Sequence, residues 1–278
     1  MRDIAVVTDS TVDLPSEVLE ELGIEVVPLD VIVGEKTYED GTFSQEAYFE
    51  MMAASEKLPT TSLPPATRFI ETYERVLSTA RGMVEVSVSS KLSGTIEVAR
   101  QAAQKFGDRV RVIDSLNVSG GLGLVAIAAA RAARRAGATV ESVVEAAKDA
   151  RARTRVLLSL DGLENLAKGG RIGRVTKIAG SMLNIRPVIE VVDGALVPAG
   201  RVRGQAAQIR KLVDLVAQRR GERGGGTFVV LHAMAAGRAR QLKEALIERF
   251  APDEVMVQEA GTVVSTHTGS GVGVAFFV

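Results

Sequence analysis

The sequence predicts an α/β protein of two domains, and three observations carry that expectation. Short apolar, β-branched runs alternate with helical patterns through the first half, which implies a mostly parallel, Rossmann-like sheet with helices on both faces. The dipeptide Asp193-Gly194 between two apolar runs is a strong hairpin signal, so the second half carries antiparallel pairing and a mixed sheet. The chain has 278 residues, 46% of them hydrophobic, which is ordinary globular composition and too long for one small core.

Residues 4–8, 25–33, 83–88 and 110–114 read as buried strands, and helical stretches near 15–22, 44–54, 65–80 and 95–106 accompany them. Residues 119–135 form a long Ala-rich helix, stopped at Gly137 as the residue just past its end. Thr139 then caps a helix running to about residue 151. The domain boundary falls there, giving an N-terminal α/β domain over 1–152 and a C-terminal α/β domain over 153–278. Strands in the second half are expected at 156–160, 187–192, 196–201, 227–231, 254–259 and 272–278, with 221–226 a loop.

The 34 basic and 34 acidic residues cancel, so nothing global supplies the net basic face that displaces counterions from nucleic acid. With no cysteine there are no disulfides or thiolate metal sites, and with two histidines no His-rich metal site is expected. The N-terminus lacks a signal-peptide pattern, and the longest weakly polar run, 120–130, is too short to span a bilayer. The expected location is the cytoplasm.

Ligands of open parallel sheets sit beyond the carboxyl ends of the strands, so the segments following strands matter most. Asp9-Ser10-Thr11-Val12-Asp13 follows the first strand, and Ser89-Ser90-Lys91-Leu92-Ser93-Gly94-Thr95 follows residues 83–88 and opens a helix. Thr60-Thr61-Ser62 precedes a Pro pair, and Ser265-Thr266-His267-Thr268-Gly269-Ser270-Gly271 lies near the C-terminus. These loops are rich in hydroxyls and glycine. Ser93-Gly94-Thr95 at a helix start offers free backbone N–H groups to an anion, or else Ser93 simply caps the helix. His267 precedes a Gly-rich stretch that lets backbone approach a ligand, whereas His232 closes a strand and reads as structural. Asp9 at a strand end invites a phosphatase or transferase reading. Asp13, before Leu14-Pro15, reads better as a helix cap than as a second catalytic carboxylate. No phosphate-binding P-loop, dinucleotide fingerprint or nucleophile elbow is present. Lys168-Gly169-Gly170-Arg171 is a glycine-rich basic loop, and Arg201 and Arg203 follow a predicted strand. Met182, Met234 and Met256 are adaptable lining residues or plain core.

Taken in order, Thr8-Asp9-Ser10-Thr11-Val12-Asp13-Leu14-Pro15, Thr60-Thr61-Ser62-Leu63-Pro64, Ser89 through Thr95, Lys168-Gly169-Gly170-Arg171-Ile172, Val202-Arg203-Gly204 and His267-Thr268-Gly269 resemble the DegV family over essentially the whole chain. That family comprises the fatty-acid-binding subunits of the bacterial fatty acid kinase. The resemblance implies a two-domain fold with the ligand between the domains. It also implies a palmitate-like long-chain fatty acid bound non-covalently in a tunnel, and no catalytic residue, metal or cofactor of the chain's own. By position it assigns the carboxylate to Thr61, Ser62, Ser93, Gly94 and His267, and places Arg171 and Arg203 near the head group and a docking kinase subunit. The implied partners are that kinase catalytic subunit and, transiently, a membrane surface. Ser270 stands where Pro is usual and Leu63 where Gln is common. Two other functions compete: an enzyme using Asp9, and a regulatory scaffold using the Arg171/Arg203 face with lipid only structural.

Overall fold

The computed structural model describes residues 2–178 and 185–278, so Met182 lies outside the described residues. In chain order the first half contains β1 (Arg2–Asp9), α1 (Ser16–Leu22), β2 (Ile24–Val27), β3 (Asp30–Val33), β4 (Lys36–Glu39), α2 (Gln45–Ala54), β5 (Thr60–Ser62), α3 (Ala66–Leu77), β6 (Ala80–Ser87), α4 (Thr95–Ala103), β7 (Val110–Asp114), α5 (Gly120–Ala133) and α6 (Val140–Arg153). The second half contains β8 (Thr154–Leu160), α7 (Glu164–Lys168), β9 (Ile185–Val192), β10 (Ala195–Arg203), α8 (Gln205–Arg220), β11 (Thr227–Ala233), α9 (Ala236–Phe250), β12 (Glu254–Glu259), α10 (Thr262–Thr268) and β13 (Gly271–Phe277).

Three sheets result. The first is parallel, in the order β2-β1-β6-β7; the second is mixed, in the order β10-β9-β8-β13-β11-β12, parallel only between β11 and β12. The third is a small antiparallel sheet, β4-β3-β5. The β9–β10 hairpin turns at Asp193 and Gly194, with φ of 48° and 81°, the pair of positive angles that Asp-Gly supplies.

Helix α5 joins the two large sheets. Its aliphatic residues share one core with Val6, Val84 and Val86 of the parallel sheet and with Val156, Leu158 and Val229 of the mixed sheet. Glycine makes this approach possible: a Cβ on Gly121 would overlap the Val156 side chain, and one on Gly123 would lie 2.7 Å from the Leu14 side chain. Separate cores form where α8 and α9 pack on the mixed sheet and where α3 and α4 pack on the outer face of the parallel sheet.

Several expectations need correction. The single strand expected over 25–33 is broken after Val27, because Pro28 has no N–H to give a ladder; β3 then joins the small sheet instead. Thr60-Thr61-Ser62 is a strand, paired with Ile32, Val31 and Asp30. Residues 262–268 are a helix rather than a loop. Asp13 caps no α-helix: it adopts φ 35°, ψ 65° at the end of a 3-10 turn, and Pro15 precedes α1. Helix α5 ends at Ala133, four residues before Gly137. Thr139 does cap α6, through a reciprocal capping box with Ser142.

Candidate functional site

The winding of the parallel sheet reverses between β1 and β6, and such a switch point leaves a crevice beyond the strand ends. A cavity of about 850 Å³, its open mouth included, lies there, with Thr11 and Val88 on its wall. That is within the range of small-molecule pockets, roughly 300–1,000 Å³. Leu92 and Val118 line it from the first half of the chain, and Leu158, Leu166, Leu196 and Val264 from the second.

The polar residues on the wall divide into two kinds. Thr11, Ser119 and Thr268 have their hydroxyls committed to the protein. Thr11 donates to Asp9 (2.5 Å), Ser119 to Asp13 (2.5 Å), and Thr268 to the carbonyls of Val264 and Gly269 (both 3.1 Å). Thr61, Ser62, Ser93, Arg171 and His267 supply the remaining polar lining. A chain of contacts ties these together: Arg171 Nε donates to the Leu92 carbonyl (3.1 Å), its Nη1 to that of Gly169 (2.6 Å), and Gly169 abuts the His267 ring. His267 Nε2 is 2.8 Å from Thr61 Oγ1.

Each of these side chains is placed by local structure. Thr61 sits on β5. Ser93 precedes α4, where its Oγ accepts from the Thr95 amide (3.2 Å) and pairs with the Thr95 hydroxyl (2.8 Å). Gly94 is the cap residue of α4 and is not among the residues lining the cavity; a Cβ there would lie 3.3 Å from Leu63. His267 is carried by α10, which other elements fix at both ends. Asp40 accepts from Thr262 N (2.9 Å) and Thr262 Oγ1 (2.6 Å), Asp13 from Gly261 N (2.8 Å), and Tyr48 pairs with Thr266 Oγ1 (2.5 Å). Gln45 holds both the Ala260 carbonyl (2.7 Å) and the Met234 amide (2.7 Å). None of Asp40, Gln45 or Tyr48 stands out in the sequence, because their partners lie some 190 to 220 positions away.

Burial, with a smaller contribution from the nearby Arg171 guanidinium, lowers the His267 pKa to about 4, so the ring is neutral near pH 7. A Cβ on Gly169 would overlap His267 Nδ1, which makes glycine necessary at that position. Arg203 is exposed at the end of β10 and is not on the wall. Met234 is 45% exposed and Met256 is core, so neither lines this cavity. His232 lines a smaller neighbouring cavity, and burial lowers its pKa.

Asp9 is fully buried and works as a hydrogen-bond hub. It accepts from Val88 N (2.7 Å), Thr11 N (3.1 Å), Thr11 Oγ1 (2.5 Å) and Ser87 Oγ (3.3 Å). A nucleophile needs a lone pair facing substrate, and these four donors occupy both oxygens.

Asp13 is also buried, and desolvation raises its pKa to about 7 despite bonds from Ser119 and Gly261. The folded chain therefore holds this proton more tightly than the unfolded chain, whose Asp titrates near 3.8. The linked stability is complete below about pH 4 and is lost as pH rises through about 7. Asp13→Asn, which cannot ionise, should gain stability relative to wild type between pH 5 and pH 8, by about 1–3 kcal/mol. Melting curves of the two proteins that stay parallel across that interval would show that Asp13 is not linked to folding.

Comparison with known proteins places this geometry. Residues 3–278 match the model of the DegV family, described as "Uncharacterised protein, DegV family". A DegV domain-containing protein of Streptomyces coelicolor is 36% identical over 274 residues, covering 98% of this chain and 96% of its own. The solved structure of a DegV family protein from Thermus thermophilus, described by its fatty acid binding, superposes with a TM-score of 0.91 at 32% identity over all of both chains. A DegV lipid-binding protein of Thermotoga maritima gives the same TM-score at 25% identity, covering 99% of this chain and 98% of its own. With its family model matched almost end to end and its fold shared over the whole chain, this chain belongs to the DegV family.

Proposed function

We propose that the protein binds one long-chain, palmitate-like fatty acid non-covalently between two domains, residues 1–152 and 153–278, and presents its carboxylate to a separate kinase subunit. One observation carries the binding half. Most of the cavity wall is apolar, Thr11, Ser119 and Thr268 spend their hydroxyls on the protein, and the rest of the polar lining is Thr61, Ser62, Ser93, Arg171 and the neutral His267. That is the complement of a molecule with one polar end. Burying about fourteen methylenes at roughly 0.8 kcal/mol each supplies on the order of 11 kcal/mol before ordering costs. A carboxylate then needs only hydrogen-bond donors, which Thr61, Ser62, Ser93 and the backbone at Gly94 supply, with His267 acting directly or through Thr61.

The kinase half draws on the motif resemblance. Phosphoryl transfer from ATP forms an O–P bond to the carboxylate, breaks the γ-phosphate bond of ATP and releases ADP. The catalysis belongs to the partner, with Arg171 and Arg203 on the docking side. Such exchange belongs in the cytoplasm, with transient contact at a membrane surface; among the described residues no helix is long and apolar enough to cross one. Solvent extraction of the purified protein followed by mass spectrometry should return near one saturated or monounsaturated fatty acid per chain. An extract empty of fatty acid, together with no heat of binding on titration with palmitate, would sink the proposal.

A further inference from the structure

A group of acids stands directly behind the cavity wall. Ser119 lines the cavity, and its hydroxyl is spent on the buried Asp13 carboxyl (2.5 Å). Asp13 also accepts from the Gly261 amide (2.8 Å), just before the helix that brings Val263, Val264, His267 and Thr268 to the wall. Thr11, another wall residue, is bonded in the same way to the buried Asp9. We infer that fatty acid binding is coupled to a proton: near and above neutrality Asp13 takes one up as the ligand enters, so that affinity falls as the solution becomes more basic. This coupling rests on the fatty acid reading above and adds the regulation of the same site.

The geometry crowds like charges and gives them no counter-ion. Gly261 separates Asp13 from Asp40: a Cβ on it would lie 3.2 Å from Asp13 Oδ1 and 3.3 Å from both Asp40 oxygens. Asp40 Oδ1 is taken by Thr262 and Val263, and its Oδ2 is buried with no hydrogen-bond partner. Asp9 is the third member, close enough for its charge to act on Asp13. The two helices packed against the 3-10 turn that ends at Asp13 bring no cation. Helix α5 has no charged side chain before Arg131, and the one titratable side chain on α10 is His267, whose ring is neutral near pH 7. Among the described residues, none of Asp9, Asp13 and Asp40 forms an ion pair.

A bound fatty acid deepens the imbalance in two ways. Its carboxylate adds an anion to a cavity whose one cationic lining residue, among those described, is Arg171. Its methylenes displace water from the face of Ser119, and a charge beside hydrocarbon is disfavoured more than a charge beside water. Both effects favour the neutral form of Asp13. Burial already raises its pKa to about 7, opposed by the bonds from Ser119 and Gly261 and reinforced by Asp40 and Asp9, so the two forms are balanced near neutrality in the free protein. Uptake sacrifices no hydrogen bond, because a protonated carboxyl still accepts through one oxygen and shares its hydroxyl with Ser119. By linkage, the ligand favours the proton by as much as the proton favours the ligand. Well below pH 7 Asp13 is protonated with or without ligand and affinity is level; as pH rises through about 7 the free protein loses the proton first, and affinity falls.

The test is palmitate binding by calorimetry between about pH 6 and 8.5, in pairs of buffers of different ionisation enthalpy, which gives the protons taken up per ligand. The proteins are the wild type, Asp13→Asn and Asp40→Asn, with melting temperatures to confirm folding. Asn at position 13 keeps an acceptor for Gly261 and a donor for Ser119, and it cannot ionise. Any proton taken up by the ligand itself or by His267 is common to both proteins, so the difference between them belongs to Asp13. Near pH 7.5 the wild type should take up about 0.3 more protons per ligand than Asp13→Asn, and across the interval its affinity should fall about threefold more. Asp40→Asn removes a like charge from beside Asp13, so its fall in affinity should begin at a lower pH. Equal proton uptake in the wild type and Asp13→Asn, or affinities that fall in parallel, overturns the coupling and leaves the fatty acid reading intact. Should Asp13→Asn fail to fold, the second variant decides: a pH profile unmoved in Asp40→Asn overturns the coupling. Wild-type protein that gives no heat of palmitate binding at any of these pH values overturns the fatty acid reading itself.

Discussion

Ser93→Ala and His267→Ala should each weaken palmitate binding by roughly tenfold or more, because removing a donor from a buried anion typically costs about 1–3 kcal/mol. The two side chains come from distant parts of the sequence. Ser93 precedes α4 in the first half, and His267 rides on α10, whose N-terminal amides are held by Asp13 and Asp40 of the first half. Both line one cavity, where His267 also pairs with Thr61. Because one ligand group is shared, the double mutant should lose less than the sum of the two single losses. Ser93 also accepts from the Thr95 amide and pairs with its hydroxyl, so its loss removes local hydrogen bonds at a cost of about 0.5–1.5 kcal/mol, visible in melting temperature. His267→Ala leaves a void beside Gly169 and should change stability little at neutral pH. Full palmitate affinity in both single mutants would remove these residues from the carboxylate site even if the protein still carried lipid.

Asp9→Ala should have the largest effect on stability, a loss of about 3–5 kcal/mol, comparable with removing one partner of a buried charged network. Its carboxyl is fully buried and receives four hydrogen bonds, from Thr11 twice and from Ser87 and Val88. Removing it strands buried N–H and O–H groups at the point where β1 and β6 open onto the cavity. Burial raises the Asp9 pKa, with hydrogen bonds from Thr11, Val88 and Ser87 opposing, so part of its interaction persists in the protonated acid. Asp9→Asn should therefore be milder than Asp9→Ala. Chemical denaturation of both variants measures the order. Near-wild-type stability in Asp9→Ala, with a phosphatase activity lost alongside, would restore the enzymatic reading of this residue.

How far the sequence reached depends on whether the deciding interactions were local. The parallel first sheet, the β9–β10 hairpin at Asp193-Gly194 and the capping box at Thr139 are all written within a few residues, and all were legible. Ser93 and His267 were legible as candidates because hydroxyl, imidazole and glycine cluster near strand ends. What was not legible needed long-range partners. β5 exists as a strand because β3 pairs with it, and α10 is a seven-residue helix with poor intrinsic helix formers, held by Asp40, Asp13, Gln45 and Tyr48. Asp13 looked like a local cap because it precedes Leu14-Pro15. Its carboxyl instead spans to Ser119 and Gly261, and no spacing rule points across such intervals.

The glycine-lined helix α5 has a bearing on how this architecture can vary. Its side chains belong to one core that includes strands of both large sheets, and Gly121 and Gly123 let it approach Val156 and Leu14 without a Cβ between them. A chain divided near residue 152 would leave each half with one bare side where the other had packed. The two large sheets are therefore not interchangeable modules: neither could be replaced alone without rebuilding the core around that helix. Side chains facing the cavity lie outside that constraint where they are not part of the shared core, so pocket shape can change there while the core stays as it is.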